Sequence, residues 1–164
     1  MSWFSSKPKE REYTGFMGDT SPQQEQVLAQ FKDWVKANEF DPIGRFDDYD
    51  MLRFCRARKF VLADIQLMFT NFINWRRENG VDTVLWDFDF TEREQVRDIY
   101  PQNYHGVDKQ GRPIYIEVLG TLDVKKLFEV TTEARVLKNY AHSYELLMNL
   151  RYPACSELAG RRIQ

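Results

Sequence analysis

The stretch MLRFCRARKF at residues 51–60 holds four cationic side chains: Arg53, Arg56, Arg58 and Lys59. A helix turns about 100° per residue, so a helical reading places Arg58 on the apolar side, between Phe54 and Cys55. Arg53 and Arg56 then lie on the opposite side. A guanidinium aimed into apolar surroundings is costly unless an anion meets it. The pattern therefore predicts an anion beside Arg58, either a carboxylate of the same protein or the phosphate of a ligand.

Helix signals also flank this stretch on both sides. Ser21, Pro22 and Gln24 make a capping box with a proline in the first turn, which predicts a helix start near residue 22. Asp47 is the expected N-cap of the helix that carries MLRFCRARKF, and a third helix covers about 63–78. The apolar faces of the outer helices are Val27, Leu28, Phe31, Trp34 and Val35, and Ile65, Met68, Phe69, Phe72, Ile73 and Trp75. These patterns predict a three-helix bundle with an aromatic core.

Charged and polar residues mark the ends of the following helices. Arg76 and Arg77 suit the C-terminal end of the third helix, because cations favour the negative end of the helix dipole. Gly80 is the expected left-handed residue after that helix. Thr91 and Glu94 have the spacing of a capping box for a short helix that stops before a proline.

The second half of the chain combines strands and helices. Residues 103–107 and 112–119 flank the turn sequence Asp-Lys-Gln-Gly, which predicts a β-hairpin. Thr131 or Thr132 then caps a long helix that ends near residue 151. The fold class is mixed α and β, mainly α. An isolated hairpin is marginally stable in water, so this one needs further strands or a partner along its edge.

Composition excludes several classes of function. The net charge of −2 gives no global basic field for nucleic acid. Cys55 and Cys155 form neither a disulfide framework nor a metal-ligand spacing, so no metal is expected. No apolar run reaches the roughly 18 residues of a membrane span, and Met1 is followed by Ser2 rather than the glycine of a myristoylation signal. His105 and His142 pair locally with no Cys or carboxylate, so we expect no enzymatic activity.

Five stretches resemble a known family in order and with almost no insertions. They are MLRFCRARKF at 51–60, NWRRENGVDT at 74–83, YPQNYHGVDKQGRPIYIEVLG at 100–120, VTTEARVLKNY at 130–140 and RYPACSELAG at 151–160. With them the chain resembles the N-terminal half of the CRAL-TRIO lipid-transfer family, and within it the fungal-type phosphatidylinositol/phosphatidylcholine transfer proteins. The resemblance implies a helical subdomain at 21–80 and the first part of the lipid-binding α/β domain at 81–164. Residues 1–20, before the resemblance begins, mix charge with Gly, Ser and Pro and show no period. They are expected to form a tail that docks only locally, through Trp3, Phe4, Tyr13 and Phe16.

The resemblance also implies lipid-binding residues. In the family an Arg and a Lys of the RARKF motif hold an inositol phosphate, and these positions are Arg58 and Lys59 here. Three tyrosines of the family pattern approach the phosphatidylcholine headgroup region or line the pocket, and they match Tyr104, Tyr115 and Tyr144. Their other interpretation is core packing with satisfied hydroxyls. Glu117 shares a strand face with Tyr115, so it either hydrogen-bonds within the pocket or pairs with an arginine of the protein.

The implied function is phospholipid binding and transfer between membranes, with a phospholipid as ligand and no other cofactor. The expected setting is the cytoplasm, in transient contact with the surface of intracellular membranes such as Golgi or endosomes. In the family further strands and a gate helix follow the position of Gly160, so the chain is expected to be truncated. The alternative is a structural subunit without transfer activity, whose hairpin edge is completed by a neighbouring protein chain.

Overall fold

A computed structural model describes residues 11–163, and these form two compact units. One unit ends at Trp75 and the other begins at Arg76. The expectation that Trp3 and Phe4 dock the N-terminal tail lies outside the described residues. The subdomain limits expected at residues 20 and 80 stay a prediction.

Three helices build the first unit, as the sequence predicts. They are α1 (Pro22–Ala37), α2 (Asp48–Ala57) and α3 (Leu62–Glu78), the last of which continues into the second unit. The capping box of α1 is confirmed, because Ser21 and Gln24 exchange side-chain and backbone hydrogen bonds. Asp47 caps α2 and forms a second capping box with Asp50. The helix starts are therefore fixed by short-range hydrogen bonds.

The core of the first unit is aromatic and aliphatic, as predicted. Its buried members are Phe31, Val35, Met51, Cys55, Ile65, Phe69 and Ile73. Cys55 is a free thiol that is fully buried, and burial raises its pKa to about 11. Trp75 was expected on the apolar face of α3, and this was wrong: its side chain is 49% exposed. Trp75 lies where the first unit ends.

The helical placement predicted for Arg58 is wrong, because α2 ends one residue earlier, at Ala57. Arg58 is the C-cap, and Lys59 and Phe60 follow in the left-handed region with φ of 50° and 59°. The Phe60 amide donates to the Cys55 carbonyl (2.8 Å) and the Lys59 amide to the Arg56 carbonyl (3.1 Å). These two bonds make a Schellman motif that uses Lys59 where glycine is usual. Both cations therefore lie in a tight turn and are exposed.

A short segment before α1 packs on this turn. Gly15 has φ of 74°, and an added Cβ would stand 2.7 Å from the Phe60 ring. Arg56 donates from Nη1 to the Gly15 carbonyl (3.2 Å) and stacks over the Phe16 ring at 3.9 Å. Local docking of the tail through Phe16 is thus confirmed within the described residues.

The second unit is mixed and mainly helical, which confirms the predicted fold class. Its helical elements are a 3-10 turn (Val81–Thr83), α4 (Val84–Asp87), α5 (Arg93–Ile99), a 3-10 turn (Leu119–Thr121), α6 (Val124–Val130), α7 (Glu133–Leu146), a π-helical turn (Leu147–Arg151) and α8 (Tyr152–Ala159). The hairpin consists of β1 (Gln102–Val107) and β2 (Pro113–Glu117), which are antiparallel with Tyr104 opposite Tyr115. They form the one sheet found among residues 11–163.

Two predicted helix limits in this unit are wrong. The capping box of Thr91 and Glu94 is absent, because α5 begins at Arg93 and Glu92 occupies the N-cap without a side-chain cap bond. The long helix, capped by Thr132, does not stop near residue 151 but continues through the π-helical turn into α8. Pro153 has no amide hydrogen for the usual bond four residues back, so the helix widens and passes the proline.

The Glu92 side chain makes no capping bond to α5 because its carboxylate binds Arg135 of α7. Arg135 donates from Nε and Nη2 to the two carboxylate oxygens of Glu92, each at 2.6 Å, and the Thr131 hydroxyl donates at 2.7 Å. The hydrogen bonds from Arg135 are the main cause that lowers the pKa of Glu92 to about 2, against an opposing effect of burial.

This depressed pKa predicts an acid-sensitive contact. The folded protein holds Glu92 ionised down to a pKa of about 2, against an ordinary value of 4.5. The contact therefore stabilises the fold above pH 4.5, and this contribution is lost as the pH falls towards 2. Thermal unfolding between pH 7 and 2 should show a lower midpoint at pH 7 for Glu92→Gln and a shallower fall below pH 4.5. Glu94→Gln is the control, and a matching profile for both variants would contradict the assignment.

Candidate functional site

The predicted cations and the predicted tyrosines lie in different units of the chain. Arg58 and Lys59 belong to the first unit, in the turn after α2. Arg58 donates from Nη1 to the Ala57 carbonyl at 3.1 Å, a bond to its own neighbour. Within residues 11–163 neither cation forms an ion pair with a carboxylate, so both present free charge to solvent. Their lipid-binding role stays a prediction.

Two adjoining cavities in the second unit lie between the hairpin and α7, and we call them together the tyrosine pocket. Their volumes are about 260 Å³ and 210 Å³, and Tyr104, Tyr115, Tyr140 and Ser143 line both. Six of the eight tyrosines of the chain line the tyrosine pocket: Tyr100, Tyr104, Tyr115, Tyr140, Tyr144 and Tyr152. The three tyrosines named from the sequence are therefore brought together.

The strand register sets the geometry of the tyrosine pocket. Tyr104 and Tyr115 are directly paired across the hairpin, and their ring centroids are 5.1 Å apart with planes tilted by 56°. The Tyr115 hydroxyl donates to the side-chain carbonyl of Gln102. Tyr144 enters from α7 and keeps 61% of its surface exposed. The pocket thus presents aromatic faces from a strand pair and a helix.

Glu117 has a partner that the sequence did not suggest. Its carboxylate accepts a hydrogen bond from the Tyr100 hydroxyl, and the Tyr140 hydroxyl lies 3.5 Å from that of Tyr100. The alternative of an internal arginine partner is wrong for the described residues. Tyr100 lines the tyrosine pocket although Glu117 does not. Glu117 therefore holds Tyr100, a residue of the pocket wall, without lining the pocket itself.

Tyr100, Tyr104 and Tyr115 keep their protons at neutral pH. Burial raises the pKa of Tyr104 and, with a smaller effect of Glu117, raises the pKa of Tyr115 to about 12. Burial and the hydrogen bond with Glu117 also raise the pKa of Tyr100. These three phenol rings thus remain neutral, and an electron-rich aromatic face attracts a cation.

The charges that line the tyrosine pocket have one sign. Arg93, Arg97 and Arg151 contribute to its wall, and among residues 11–163 no Asp or Glu does so. Burial lowers the pKa of His142, and the positive charges of Arg93 and Arg151 add to this effect. His142 is therefore held neutral in its wall. The arrangement suits a ligand with an anionic group and an apolar or cationic portion.

Sequence reasoning missed the burial of Arg76. The sequence predicted only that this cation suits the C-terminal end of α3, whereas in the structure the residue is 6% exposed. It donates from Nη1 and Nη2 to the two oxygens of Glu145 (2.7 and 3.1 Å) and from Nε to Asp82 (2.8 Å). Burial lowers the pKa of Arg76, but the bonds with Glu145 and Asp82 outweigh it and raise the pKa. The signal was its spacing of three and seven residues from Ile73 and Phe69, which places Arg76 on the apolar stripe.

No group of three or more His, Cys, Asp or Glu side chains between residues 11 and 163 is placed to hold a metal ion. In the same range, no helix combines the length and apolar character that crossing a bilayer requires.

The chain is similar in sequence to known lipid-transfer proteins. No family model matches the chain. The chain is 40% identical over 151 residues to the SEC14 cytosolic factor of Kluyveromyces lactis. The matched residues make up 92% of this chain and 50% of that protein. It is 45% identical over 136 residues to the phosphatidylinositol/phosphatidylcholine transfer protein SFH4 of Arabidopsis thaliana, with 83% of this chain and 22% of that protein covered. The Sec14 cytosolic factor of Schizosaccharomyces pombe is 47% identical over 120 residues, 73% of this chain and 42% of its own length.

The chain therefore spans half or less of the length of these curated relatives. The matched residues make up most of the chain in each comparison, at identities between 40% and 47%. Identity of this degree over more than a hundred residues reflects common descent and a shared fold. The chain accordingly belongs to the CRAL-TRIO family and matches part of the length of its relatives.

Proposed function

We propose that the protein to which this chain belongs binds a phospholipid and transfers it between membrane surfaces. The observation that carries the proposal is the tyrosine pocket, with six tyrosine rings, three arginines and no carboxylate in its described wall. A quaternary ammonium is attracted to an aromatic face by roughly 0.5–2 kcal/mol, and a phosphate is attracted to arginine. A zwitterionic headgroup such as phosphatidylcholine combines both groups. The names of the relatives, which include phosphatidylinositol/phosphatidylcholine transfer proteins, support this choice.

Arg58 and Lys59 are proposed as contacts for the phosphate of an inositol lipid. Both are exposed, and no described carboxylate neutralises them. Lys59 has a positive φ of 50°, a conformation that costs a non-glycine residue free energy and that clusters at ligand sites. The turn also fixes the backbone from which both side chains extend. The support is thus free charge on a rigid turn rather than the apolar environment first expected.

The proposed mechanism is extraction and release, with no covalent step. The protein touches the membrane surface transiently, takes up a lipid and delivers it to a second membrane. The name "cytosolic factor", which several relatives carry, supports action on the cytoplasmic side. The membranes proposed as targets are intracellular ones such as Golgi or endosomes.

A vesicle assay tests this proposal directly. Donor vesicles carry fluorescent phosphatidylcholine or phosphatidylinositol with a quencher, and acceptor vesicles carry neither label. The natural full-length protein should raise the rate of dequenching for both lipids, and lipid should co-purify with it. A protein that transfers neither lipid, carries none and associates with other subunits would instead support the structural alternative, in which a neighbouring chain completes the hairpin edge.

Arg58→Ala should reduce phosphatidylinositol transfer about tenfold, because a charge-assisted bond to phosphate contributes roughly 1.5–3 kcal/mol. Arg53→Ala is the matched control, since Arg53 lies in α2 and already approaches Asp50 at 3.7 Å. The transfer assay with phosphatidylinositol reports the difference. Equal losses in the two variants would remove Arg58 from the proposed site.

A further inference from the structure

Arg151, in the wall of the tyrosine pocket, has a hydrogen-bond donor for which the described residues supply no acceptor. Its Nη1 atom is buried and has no hydrogen-bond partner among residues 11–163. Its guanidinium carbon lies 4.5 Å from the centroid of the Tyr104 ring, so the side chain is stacked in place. Arg151 ends the π-helical turn between α7 and α8. Turns of this kind occur frequently at functional sites, where they redirect side chains.

A buried N–H group of a guanidinium without an acceptor is unfavourable. Leaving a buried donor unsatisfied costs about 1–3 kcal/mol, and more when the group is charged. The described pocket wall contains no carboxylate to accept this bond. Glu145, one helical turn and a half before Arg151, is already held by both terminal nitrogens of Arg76. The Nη1 atom therefore has room for an acceptor that the described residues do not supply.

We infer that Arg151 binds the phosphate group of the ligand in the tyrosine pocket through its Nη1 atom. The inference deepens the proposed function by assigning the anion contact of that pocket. It also changes the role of Tyr104, because the guanidinium covers one face of its ring. Tyr115 and Tyr144 are left to receive a cationic group, and Tyr104 orients the arginine.

The test compares Arg151→Gln with the unchanged full-length protein and with Arg112→Gln. Arg112 belongs to the same unit, is exposed and does not line the tyrosine pocket, so it is a matched control for the loss of one positive charge. Each protein is titrated with phosphatidylcholine vesicles, with diacylglycerol of the same acyl chains, and with inorganic phosphate followed by ³¹P NMR. Arg151→Gln should weaken phosphatidylcholine binding about tenfold and leave diacylglycerol binding unchanged, whereas Arg112→Gln should change phosphatidylcholine binding less than twofold.

The possible outcomes of this binding test distinguish failure of this inference from failure of the proposed function. Phosphatidylcholine binding that is equal in Arg151→Gln and the unchanged protein would overturn the inference and leave lipid binding intact. An equal loss for diacylglycerol and phosphatidylcholine would show a collapsed pocket and overturn the phosphate contact. Arg151→Lys, which keeps the charge, should recover part of the phosphatidylcholine affinity if the contact is real, and no recovery counts against it. Inorganic phosphate that binds through Arg151 while no lipid binds would support the anion contact and overturn lipid transfer.

Discussion

Replacement of Arg76 by alanine should lower the free energy of unfolding by about 3–5 kcal/mol, because it leaves a buried carboxylate without its partner. The Arg76 side chain is 7% exposed and that of Glu145 15% exposed, so water replaces little of the lost interaction. The pair is bidentate, and Asp82 adds a third hydrogen bond to the same guanidinium. Urea unfolding followed by circular dichroism measures the loss.

Arg112→Ala is the matched control for this prediction. Arg112 pairs with Asp108 at 2.8 Å, but its side chain is 53% exposed. Exposed pairs contribute roughly 0–1 kcal/mol, since solvent screens the charges. A second variant, Arg76→Met combined with Glu145→Leu, should be more stable than Arg76→Ala alone because it also removes the carboxylate of Glu145, which is more buried than that of Asp82. Equal losses for Arg76→Ala and Arg112→Ala would contradict the importance of burial.

This ion pair also connects stability with the proposed site. Glu145 follows Tyr144 on α7, and Arg76 holds its carboxylate at two points. The bond restricts the position of the helix segment that places Tyr144 in the wall of the tyrosine pocket. Rigid support of this kind reduces the ordering cost when a ligand binds. We therefore regard Arg76 as part of the framework of the pocket, although it does not line it.

The sequence predicted those features that depend on local hydrogen bonds and periodicity. The start of α1 follows from Ser21 and Gln24, and the start of α2 from Asp47, because each capping bond spans three residues. The hairpin was predicted from its turn sequence. Its register, which pairs Tyr104 with Tyr115 and is irregular between Tyr104 and Val107, was not predicted.

Features that depend on tertiary contacts were not predictable in this way. The end of α2 was misplaced because a lysine, not a glycine, takes the left-handed position at residue 59. The ion pair of Glu92 was not predicted because its partner, Arg135, lies 43 residues later in the sequence. The free Nη1 atom of Arg151 is visible only when every neighbouring acceptor has been placed. Each case requires knowledge of which distant groups meet.

Phe69→Ala should destabilise the first unit by about 3–5 kcal/mol, the range expected when a fully buried phenylalanine is removed from a packed core. Phe69 is 0% exposed, and five other rings have centroids within 5.0–6.3 Å of its own. Four of these contacts are edge-on or tilted pairs at angles of 61–83°, which favour aromatic packing beyond the area they bury. The alanine variant leaves a cavity that several elements border at once, so no single side chain can fill it.

The same helix supplies the control for Phe69. Leu67→Ala changes a residue that is 63% exposed, two positions away on α3, and alanine and leucine have similar helix propensities. Urea unfolding should show a loss below about 1 kcal/mol for Leu67→Ala and an intermediate loss for Phe69→Leu, which refills part of the cavity. A loss for Phe69→Ala no larger than that for Leu67→Ala would mean that the aromatic cluster does not hold the bundle together. The turn that carries Arg58 and Lys59 joins α2 to α3 within this bundle. Loss of the aromatic cluster should therefore also disorder the proposed phosphate contacts.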